Sequence, residues 1–498
     1  MTDLSLTLLV AAFLAFSLSL ANWRLVFLAM IVVGFAQDPL RKIVPGEPVF
    51  FVVLCTATMA LALMGAMMKC GIVSLEPIAA SDRATRTALW MVIAVVVLQA
   101  MLSWMRFGSP IIAAIGLLSY LSPIPAIWLA YHYTRRLFDI RRFLTLYVAV
   151  VVIVTSGIYM SKAGVESPLF RQFGEGMILY DPTVGIVEAH PGFMRSPEVA
   201  AWHVGAASCI LIALAVTYRS NFLRMATPVV VLFLLAGGIL TGRRKVLVIV
   251  ATYLATYLAL LFYYRHRSAR RALLLVCVLS GAFVGAALAM TPSGSAFRPY
   301  IDRGQTAFGD ASERFTYLGL GSVGWALESG GFFGLGAGAG SQGTQHFSGG
   351  SSLSFGAAEG GLGKVAIELG VPGLTLVIIA VILVGRNVRR TLHVVAARDL
   401  RLLSLSAGMV AFCAANVPVF MGASQIYGDP FVLTLLGSFL GFVLAAPRLG
   451  QPRVAAVRVP LPGATDARAL AQEAVSPGAC GSAEHGPPTR ARTSGTTD

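Results

Sequence analysis

Residues 143–161 read FLTLYVAVVVIVTSGIYMS, nineteen consecutive residues without a charged side chain. An α-helix of this length crosses the ~30 Å hydrocarbon core of a bilayer. Similar runs recur along the chain, which is 56% hydrophobic and only 12% charged over 498 residues, whereas soluble domains are roughly 25% charged. Because backbone N–H and C=O groups in lipid must be paired internally, such runs are predicted to be helices. The sequence therefore predicts an all-α, polytopic integral membrane protein.

We expect 12 or 13 transmembrane helices. Both numbers are given because one run is short and two others lie close together. The predicted spans are 4–20, 23–37, 48–68, 88–106, 110–132, 143–161, 199–217, 225–242, 245–264, 272–291, 362–385, 402–424 and 429–446. The chain then divides into helical segments at 1–161, 199–291 and 362–446, long loops at 162–198 and 292–361, and a tail at 447–498. Long ordered loops often carry function, so the two loops are where we look first for a site.

The positions of Lys and Arg predict the orientation. Strong basic clusters at 135–142, 265–271 and 386–401 fall on one side of the predicted spans, and the positive-inside rule makes that side the cytoplasm. Both long loops then lie on the outer face, and the Pro-, Ala- and Gly-rich tail is predicted to be a disordered cytoplasmic extension. Because the cations sit in short clusters between apolar runs, the net charge of +15 does not indicate a nucleic-acid partner.

One basic run stands at the predicted outer end of a span, against this rule. It reads Thr241-Gly242-Arg243-Arg244-Lys245. Two interpretations are open. A polyanionic ligand, such as a pyrophosphate at the membrane surface, would be matched by the planar donor forks of Arg243 and Arg244. Alternatively, the three cations snorkel to lipid phosphates.

The exit of the first loop carries a second group of ionisable residues. Ser196-Pro197 predicts the start of a helix, and Arg195, Glu198 and His203 surround that start. Ionisable residues at the end of a span are candidate site residues. The alternative is an Arg195–Glu198 ion pair that only holds the loop in place. Asp181 and His190 are weaker candidates in the same loop.

The second loop contains a helical pattern and a glycine-rich stretch. Spacing over 312–328 predicts a helix, and 330–341 is rich in glycine. Because no strand precedes the glycines and no Gly-Lys-Ser/Thr follows, they do not form a nucleotide-binding loop, and glycine content alone favours a flexible surface loop. Glu359, Lys364 and Glu368 stand where the next span begins. The six cysteines show no metal-ligand spacing, and the expectation that no metal or other cofactor is needed comes from the resemblance described next.

Three elements, taken in order, resemble the O-antigen ligase and O-antigen polymerase superfamily of bacterial envelope proteins. The first is Thr241-Gly242-Arg243-Arg244 at the end of a span. The second is Arg314 about ten residues before Trp325, followed by Phe333-Gly334-Leu335-Gly336. The third is Glu368-Leu369-Gly370-Val371-Pro372-Gly373 at the start of a span. The resemblance covers roughly residues 190 to 385.

The resemblance implies a metal-independent membrane glycosyltransferase on the outer face of the bacterial inner membrane. Its partners would be an undecaprenyl-diphosphate-linked glycan donor, a glycan acceptor and membrane lipids, with a flippase and chain-length-control proteins as further expected partners. Arg244 and Arg314 match diphosphate-binding positions of the family, and Arg243 and Arg195 join them in our prediction. Glu359 stands where the family often has a His, so we predict it as the general base, with Glu198 and His203 as further candidates.

Several alternatives remain at this stage, and the least specific is a structural or assembly membrane protein. The product of the reaction is either a polymer of an exported polysaccharide or a ligated lipid, and the missing His slightly favours polymerisation. A transporter or flippase of a lipid-linked glycan would use the same cations to guide passage of the anion. No internal repeat or pair of broken helices is evident in the sequence to support that second class.

Overall fold

The computed structural model describes residues 3–46, 49–79, 82–171, 178–181, 185–217, 220–264, 298–309, 315–341 and 359–449, and the single positions 270, 273, 277, 281, 313 and 344. All of these belong to one compact unit, Met1–Gly450. The structure is 84% helical, which confirms the predicted mostly helical fold.

The helices follow the apolar runs of the sequence. The first half of the unit contains α1 (Asp3–Ile43), α2 (Leu54–Cys70), α3 (Glu76–Ala79), α4 (Arg83–Phe107), α5 (Pro110–Leu121), α6 (Pro123–Tyr133) and α7 (Leu137–Lys162). A hairpin of β1 (Ile178–Asp181) and β2 (Gly185–Glu188) comes next. The second half contains α8 (Pro197–Thr217), α9 (Asn221–Leu240), α10 (Lys245–Tyr263), α11 (Arg298–Gly309), α12 (Ser322–Gly330), α13 (Gly361–Ala396), α14 (Leu400–Gly422) and α15 (Pro430–Leu449).

Within the described residues, nine helices are long and apolar enough to cross a membrane, or up to ten if a bent pair counts as one span. The number of spans expected from the sequence, 12 or 13, is higher for the following reasons. Runs 4–20 and 23–37 both fall in α1, which is interrupted by a non-helical residue, Asn22, and only the part Phe16–Ile43 counts as a span. The apolar part of α9, Met225–Leu240, is shorter than a full span, and the predicted span 272–291 lies almost wholly outside the described residues.

Two boundaries differ from the predicted organisation. The last helix, α15, continues through Pro447 to Leu449, so the predicted start of the tail at 447 is wrong by about one turn. The first long loop is not devoid of regular structure, because β1 and β2 pair antiparallel with Ile178 opposite Glu188 and Asp181 opposite Gly185. The rest of the tail lies outside the described residues.

Helix α8 lies at the centre of the bundle and is almost entirely buried. Packing among the helices relies on small residues, because lipid gives apolar side chains no preference for protein over bilayer. Gly408 of α14 lies against Ala213 of α8, and Gly437 and Gly441 of α15 lie against the backbone of α6. Trp202 of α8 donates from Nε1 to Asn416 Oδ1 at 2.7 Å, which satisfies its polar atom inside the core.

The second predicted loop is built of short helices. Helix α11 comes first, and a π-helix, Phe315–Gly321, leads directly into α12. The helical spacing seen over 312–328 is therefore confirmed for the part that the structure describes.

The glycine-rich stretch after α12 is buried, so the flexible surface loop favoured by its composition is wrong for residues 335–341. Leu335 N–H donates to Ile367 O at 2.7 Å and Ala337 N–H donates to Gln99 O at 3.1 Å. These bonds hold the stretch between α4 and α13. Its backbone groups are satisfied by neighbouring helices, as buried backbone polar groups require.

Two helices beside this stretch are broken, which the sequence pattern did not indicate. Helix α13 contains a non-helical residue, Gly370, with φ +71°, two residues before Pro372. Helices α5 and α6 are bent by 41° at their junction. Pro372 has no N–H, so the carbonyl of Glu368 loses its helical donor, and the break follows from that loss.

The glycines of the buried stretch provide a test of its packing. Gly338 has φ +94°, and a β-carbon there would overlap the carbonyl oxygen of Ile112, whereas Gly331 has φ +70° with open space around it. We expect Gly331→Ala to cost about 1–3 kcal/mol from backbone strain alone. Gly338→Ala adds an overlap worth about 1–3 kcal/mol. Thermal unfolding of the purified protein in detergent measures both, and equal losses would contradict the buried position of Gly338.

Candidate functional site

A tight turn connects α9 to α10 and places two arginines at the start of α10. Gly242 has φ +67°, a conformation that favours glycine. Thr241 Oγ1 donates to Gly238 O at 2.5 Å and accepts a hydrogen bond from Arg243 N–H at 3.3 Å. The Thr-Gly pair of the sequence therefore fixes the turn, and the following cations stand at the N-terminus of a 19-residue helix.

These residues line a small, open pocket, here called the arginine cavity. Three arginines contribute to its lining, Arg243, Arg244 and Arg303. Arg303 belongs to α11, and its Nε donates to Gly242 O at 3.0 Å, so α11 is joined to the turn. The other lining residues are Ile239, Gly242, Val246, Leu247, Tyr300 and Gly304. Three cations at a helix N-terminus form a site suited to an anion.

Glu198 supplies a carboxylate next to the arginine cavity. Its Oε1 lies 3.2 Å from Arg243 Nη1, and its Oε2 lies 2.9 Å from Lys245 Nζ. The side chain is 19% exposed. Glu198 is in the first turn of α8, as predicted from Ser196-Pro197, so this contact joins the starts of α8 and α10. The sequence suggested Arg195 as the partner of Glu198, and the structure gives it Arg243 and Lys245 instead.

Tyr300 attaches α11 to the hairpin. Its hydroxyl donates to Glu188 O at 2.7 Å and lies 3.1 Å from His190 Nε2 and 3.3 Å from Lys162 Nζ. Because the hydroxyl has one hydrogen and gives it to Glu188, His190 donates from Nε2. Burial raises the pKa of Tyr300 to about 12, with Glu188 acting in the same direction. Tyr300 thus stays a neutral anchor that holds Arg303 at the cavity.

His190 is only 4% exposed, and its ring is held on both sides. Nε2 bonds to Tyr300 as described, while Nδ1 lies 3.4 Å from Ser161 Oγ and accepts its hydrogen. Burial lowers the pKa of His190 below its usual 6.5, Glu188 opposes this shift, and Lys162 adds to it. The neutral ring is the form that fits both hydrogen bonds.

Arg195 belongs to a separate ion cluster and does not line the arginine cavity. Its guanidinium lies 3.2 Å from Asp38 Oδ1 and 2.6 Å from Asp429 Oδ2, which joins α1, α8 and α15. Burial works against the charge of Arg195, but Asp429 and Asp38 outweigh it and raise the pKa of the guanidinium. This arrangement favours a structural role over the diphosphate-binding role predicted for Arg195.

His203 is fully buried in the bundle. Its Nδ1 lies 3.0 Å from Tyr147 Oη, and its ring packs against Phe35 and Phe431 at centroid distances of 4.6 and 5.1 Å. An acceptor hydroxyl has no access to this ring in the described conformation. The geometry therefore gives no support to the predicted proton-transfer role of His203.

The remaining predicted residues lie elsewhere. Glu359 has an exposed side chain just before α13, and its carbonyl accepts from Ser424 N–H at 2.7 Å. It does not line the arginine cavity. Arg314 lies outside the described residues. Glu368 is fully buried and accepts from Gly340 N–H and Ser341 Oγ at 3.0 and 3.1 Å, so it holds the glycine-rich stretch.

Sequence reasoning missed Arg303 and Tyr300 as site residues and did not identify Lys245, a member of the basic run, as a partner of Glu198. A signal for the first two was present, because 298–309 has the strongest amphipathic pattern among the described helices. This helix begins Arg-Pro-Tyr-Ile-Asp-Arg, which contains two arginines and one tyrosine. Nothing in that string shows which of its cations faces a cavity.

In the part of the chain that the structure describes, no three His, Cys, Asp or Glu residues lie together in a way that could hold a metal ion. Comparison with models of known protein families gives no match, and comparison with curated protein sequences gives none either. The arginine cavity is therefore the feature of the molecule that bears most directly on function.

The environment of His190 predicts a pH-dependent stability. Its folded-state pKa lies below that of the unfolded chain, so the stabilisation is present above about pH 6.5 and is lost as the pH falls through the folded-state pKa. We expect the thermal unfolding temperature in detergent to fall between pH 7.5 and 5.5, and to fall less in His190→Gln. An equal pH dependence in both proteins would contradict this assignment.

The Arg195 cluster predicts a stability defect. Arg195→Met leaves the carboxylates of Asp38 and Asp429, whose side chains are 0% and 3% exposed, without their cation. Removal of one partner from such a buried cluster costs about 3–5 kcal/mol. Arg298→Met, at a half-exposed pair with Asp302, serves as the control and should cost less than about 1 kcal/mol. Unchanged stability of Arg195→Met would favour a role in ligand binding instead.

Proposed function

We propose that this protein is a membrane glycosyltransferase that transfers a glycan from an undecaprenyl-diphosphate carrier to an acceptor hydroxyl. The observation that carries the proposal is the arginine cavity, where Arg243, Arg244 and Arg303 line one pocket at the start of α10. A diphosphate needs several cations within a short distance, and arginine presents planar pairs of donors to phosphate oxygens.

The walls of the cavity suit a lipid-linked anion. Ile239, Val246 and Leu247 line it beside the arginines, and all three belong to helices that run into the apolar bundle. A prenyl diphosphate has an apolar chain attached to a charged group, so cations and aliphatic side chains side by side match its two parts. The N-terminus of α10 adds the positive end of the helix dipole.

The chemistry assigned to the site is displacement at the anomeric carbon. The bond from that carbon to the phosphate oxygen breaks, the acceptor oxygen forms the new bond with inversion, and the acceptor proton passes to a carboxylate base. The arginines stabilise the charge that develops on the departing diphosphate. The resemblance gives Glu359 as the proposed base; its side chain is exposed and lies outside the lining of the arginine cavity, whereas Glu198 is already engaged by two cations. The activated carrier supplies the driving force, so the proposal includes no metal and no nucleotide.

The resemblance to O-antigen ligases and polymerases supports the same conclusion from the sequence. It includes the turn at Thr241–Arg244, which carries two arginines of the cavity. It also includes the element that begins at Glu368, which contains the break of α13 at Gly370. Arg314 is a further proposed diphosphate ligand on this basis. The proposal places the site on the outer face of the bacterial inner membrane with the C-terminus in the cytoplasm, and it takes a polysaccharide polymer as the product, with ligation as the alternative.

Arg303 tests the proposal, because it was identified from the geometry of the cavity. We expect Arg303→Ala and Arg244→Ala to lower glycan transfer by about 100-fold or more, as loss of one donor to a developing charge does. The assay incubates purified protein in detergent with lipid-linked repeat units and follows glycan length on a gel. Arg298→Ala is the matched control, since Arg298 lies in the same helix, is half exposed and pairs with Asp302. Equal activity of Arg303→Ala and Arg298→Ala, at equal protein levels, would contradict the proposed site.

A transporter or flippase of a lipid-linked glycan is the second candidate. The observation that favours it is the pair of broken helices, since α13 is interrupted at Gly370 and α5 and α6 meet at a bend. Transporters commonly bind substrates where helices are discontinuous. The detergent assay separates the two classes, because a glycosyltransferase lengthens glycans without a sealed bilayer. Movement of a lipid-linked glycan across liposomes, with no lengthening in detergent, would favour the transporter.

A further inference from the structure

The charges around the arginine cavity include one carboxylate in an unusual position. Arg243, Arg244 and Arg303 line the space, and Lys245 follows directly in the chain. Glu198 contacts two of these four cations through different oxygens, with Oε1 on Arg243 at 3.2 Å and Oε2 on Lys245 at 2.9 Å. Only one of its two partners, Arg243, lines the cavity. The carboxylate therefore occupies donors of a cation that a bound anion would also use.

We propose that Glu198 is an exchangeable counter-ion of the arginine cavity, displaced from Arg243 by the incoming diphosphate and returning when the diphosphate leaves. This inference rests on the proposed function and deepens it. Lys245 is 9% exposed and holds the second carboxylate oxygen, so Glu198 stays attached to the protein by that contact when Arg243 turns to the ligand. The exchange requires movement of two side chains and no movement of a helix.

The reaction creates a reason for such an exchange. The donor is a diphosphate diester with two negative charges. When the sugar leaves, the carbon–oxygen bond to phosphate breaks, the electron pair stays on the phosphate oxygen, and the acceptor proton goes to the base. The product is a diphosphate monoester, which gains up to one further negative charge because the second pKa of a phosphate is about 6. The same arginines therefore bind the product more tightly than the donor, which would slow its release.

A built-in carboxylate opposes this product binding. When Glu198 pairs with Arg243, it lowers the affinity of the cavity for every anion by competing for the same guanidinium. This competition has opposite effects on the two steps. It favours release of the product, and it weakens binding of the donor. Glu198 is therefore a positioning residue of the cavity and makes no contact with the reacting carbon.

The test compares Lys245→Gln with the double variant Glu198→Gln/Lys245→Gln. Both lack Lys245, so they differ only in Glu198, and the double variant leaves no buried ammonium unpaired, which protects folding. Inorganic pyrophosphate and a short-chain prenyl diphosphate serve as probes in calorimetric titrations of the full chain in detergent. We expect the double variant to bind both probes about tenfold more tightly, because one negative charge within a few ångströms of the ligand has been removed.

The matched control is Asp302→Asn. This change also removes one negative charge from the neighbourhood, in the same helix as Arg303, but Asp302 is 40% exposed and pairs with Arg298 at 3.5 Å. Because exposed charges are screened, we expect its effect on probe binding to stay below about threefold. A gain in affinity of equal size in Asp302→Asn would show a general charge effect and overturn the specific role of Glu198.

Turnover provides a readout that a purely structural role would not move. In the double variant, relative to Lys245→Gln, we expect KM for the lipid-linked donor and kcat to fall together, and inhibition by added prenyl diphosphate to strengthen by about tenfold. Unchanged or weaker probe binding in the double variant, with an unfolding temperature equal to that of Lys245→Gln, would overturn the exchange. Failure of the unsubstituted protein to bind either probe would instead overturn the proposed function itself.

Discussion

The ion pairs of Glu198 are the contacts on which the arrangement of the arginine cavity depends. Three consecutive cations at the start of α10 repel one another and oppose insertion into a bilayer, so a nearby anion has to compensate them. Glu198 does this from the first turn of α8, the most buried helix of the bundle. The carboxylate joins the start of α8 to the start of α10, which also packs along α8 and α14, and the turn before α10 offers Gly242 O to Arg303 of α11.

A second constraint shapes the other side of the bundle. Backbone groups inside a membrane need partners within the protein. The glycine-rich stretch meets this need by donating to carbonyls of α4 and α13 and by placing Gly340 N–H and Ser341 on the carboxylate of Glu368. Glycine allows this because the backbones approach more closely than any β-carbon permits. The break of α13 at Gly370 and the buried stretch are thus two parts of one packing solution.

Composition and hydrophobic runs were sufficient for the fold class, for the helix starting at Pro197 and for the turn that carries Arg243 and Arg244, because these depend on local sequence. The ion-pair partners of individual charged residues could not be predicted from the sequence. Arg195 and Glu198 stand three residues apart, yet each pairs with distant residues, Asp38 and Asp429 in one case and Lys245 in the other. Glycine content suggested flexibility in 330–341 because it reports backbone freedom in isolation, while burial depends on helices that are remote in the chain.

The position of the arginine cavity bears on the choice between enzyme and transporter. A transporter needs cations along a path that opens to both sides, and its binding site commonly lies where helices are interrupted. The cations of this cavity are grouped at one end of α10, and the broken helices α5, α6 and α13 do not contribute to its lining. The positive charge is concentrated at one helix end, and the carboxylate of Glu198 competes with a ligand for it. This arrangement suits an anion that binds, changes its charge and is released on the same side. This separation is the physical reason to prefer glycosyl transfer to passage across the membrane.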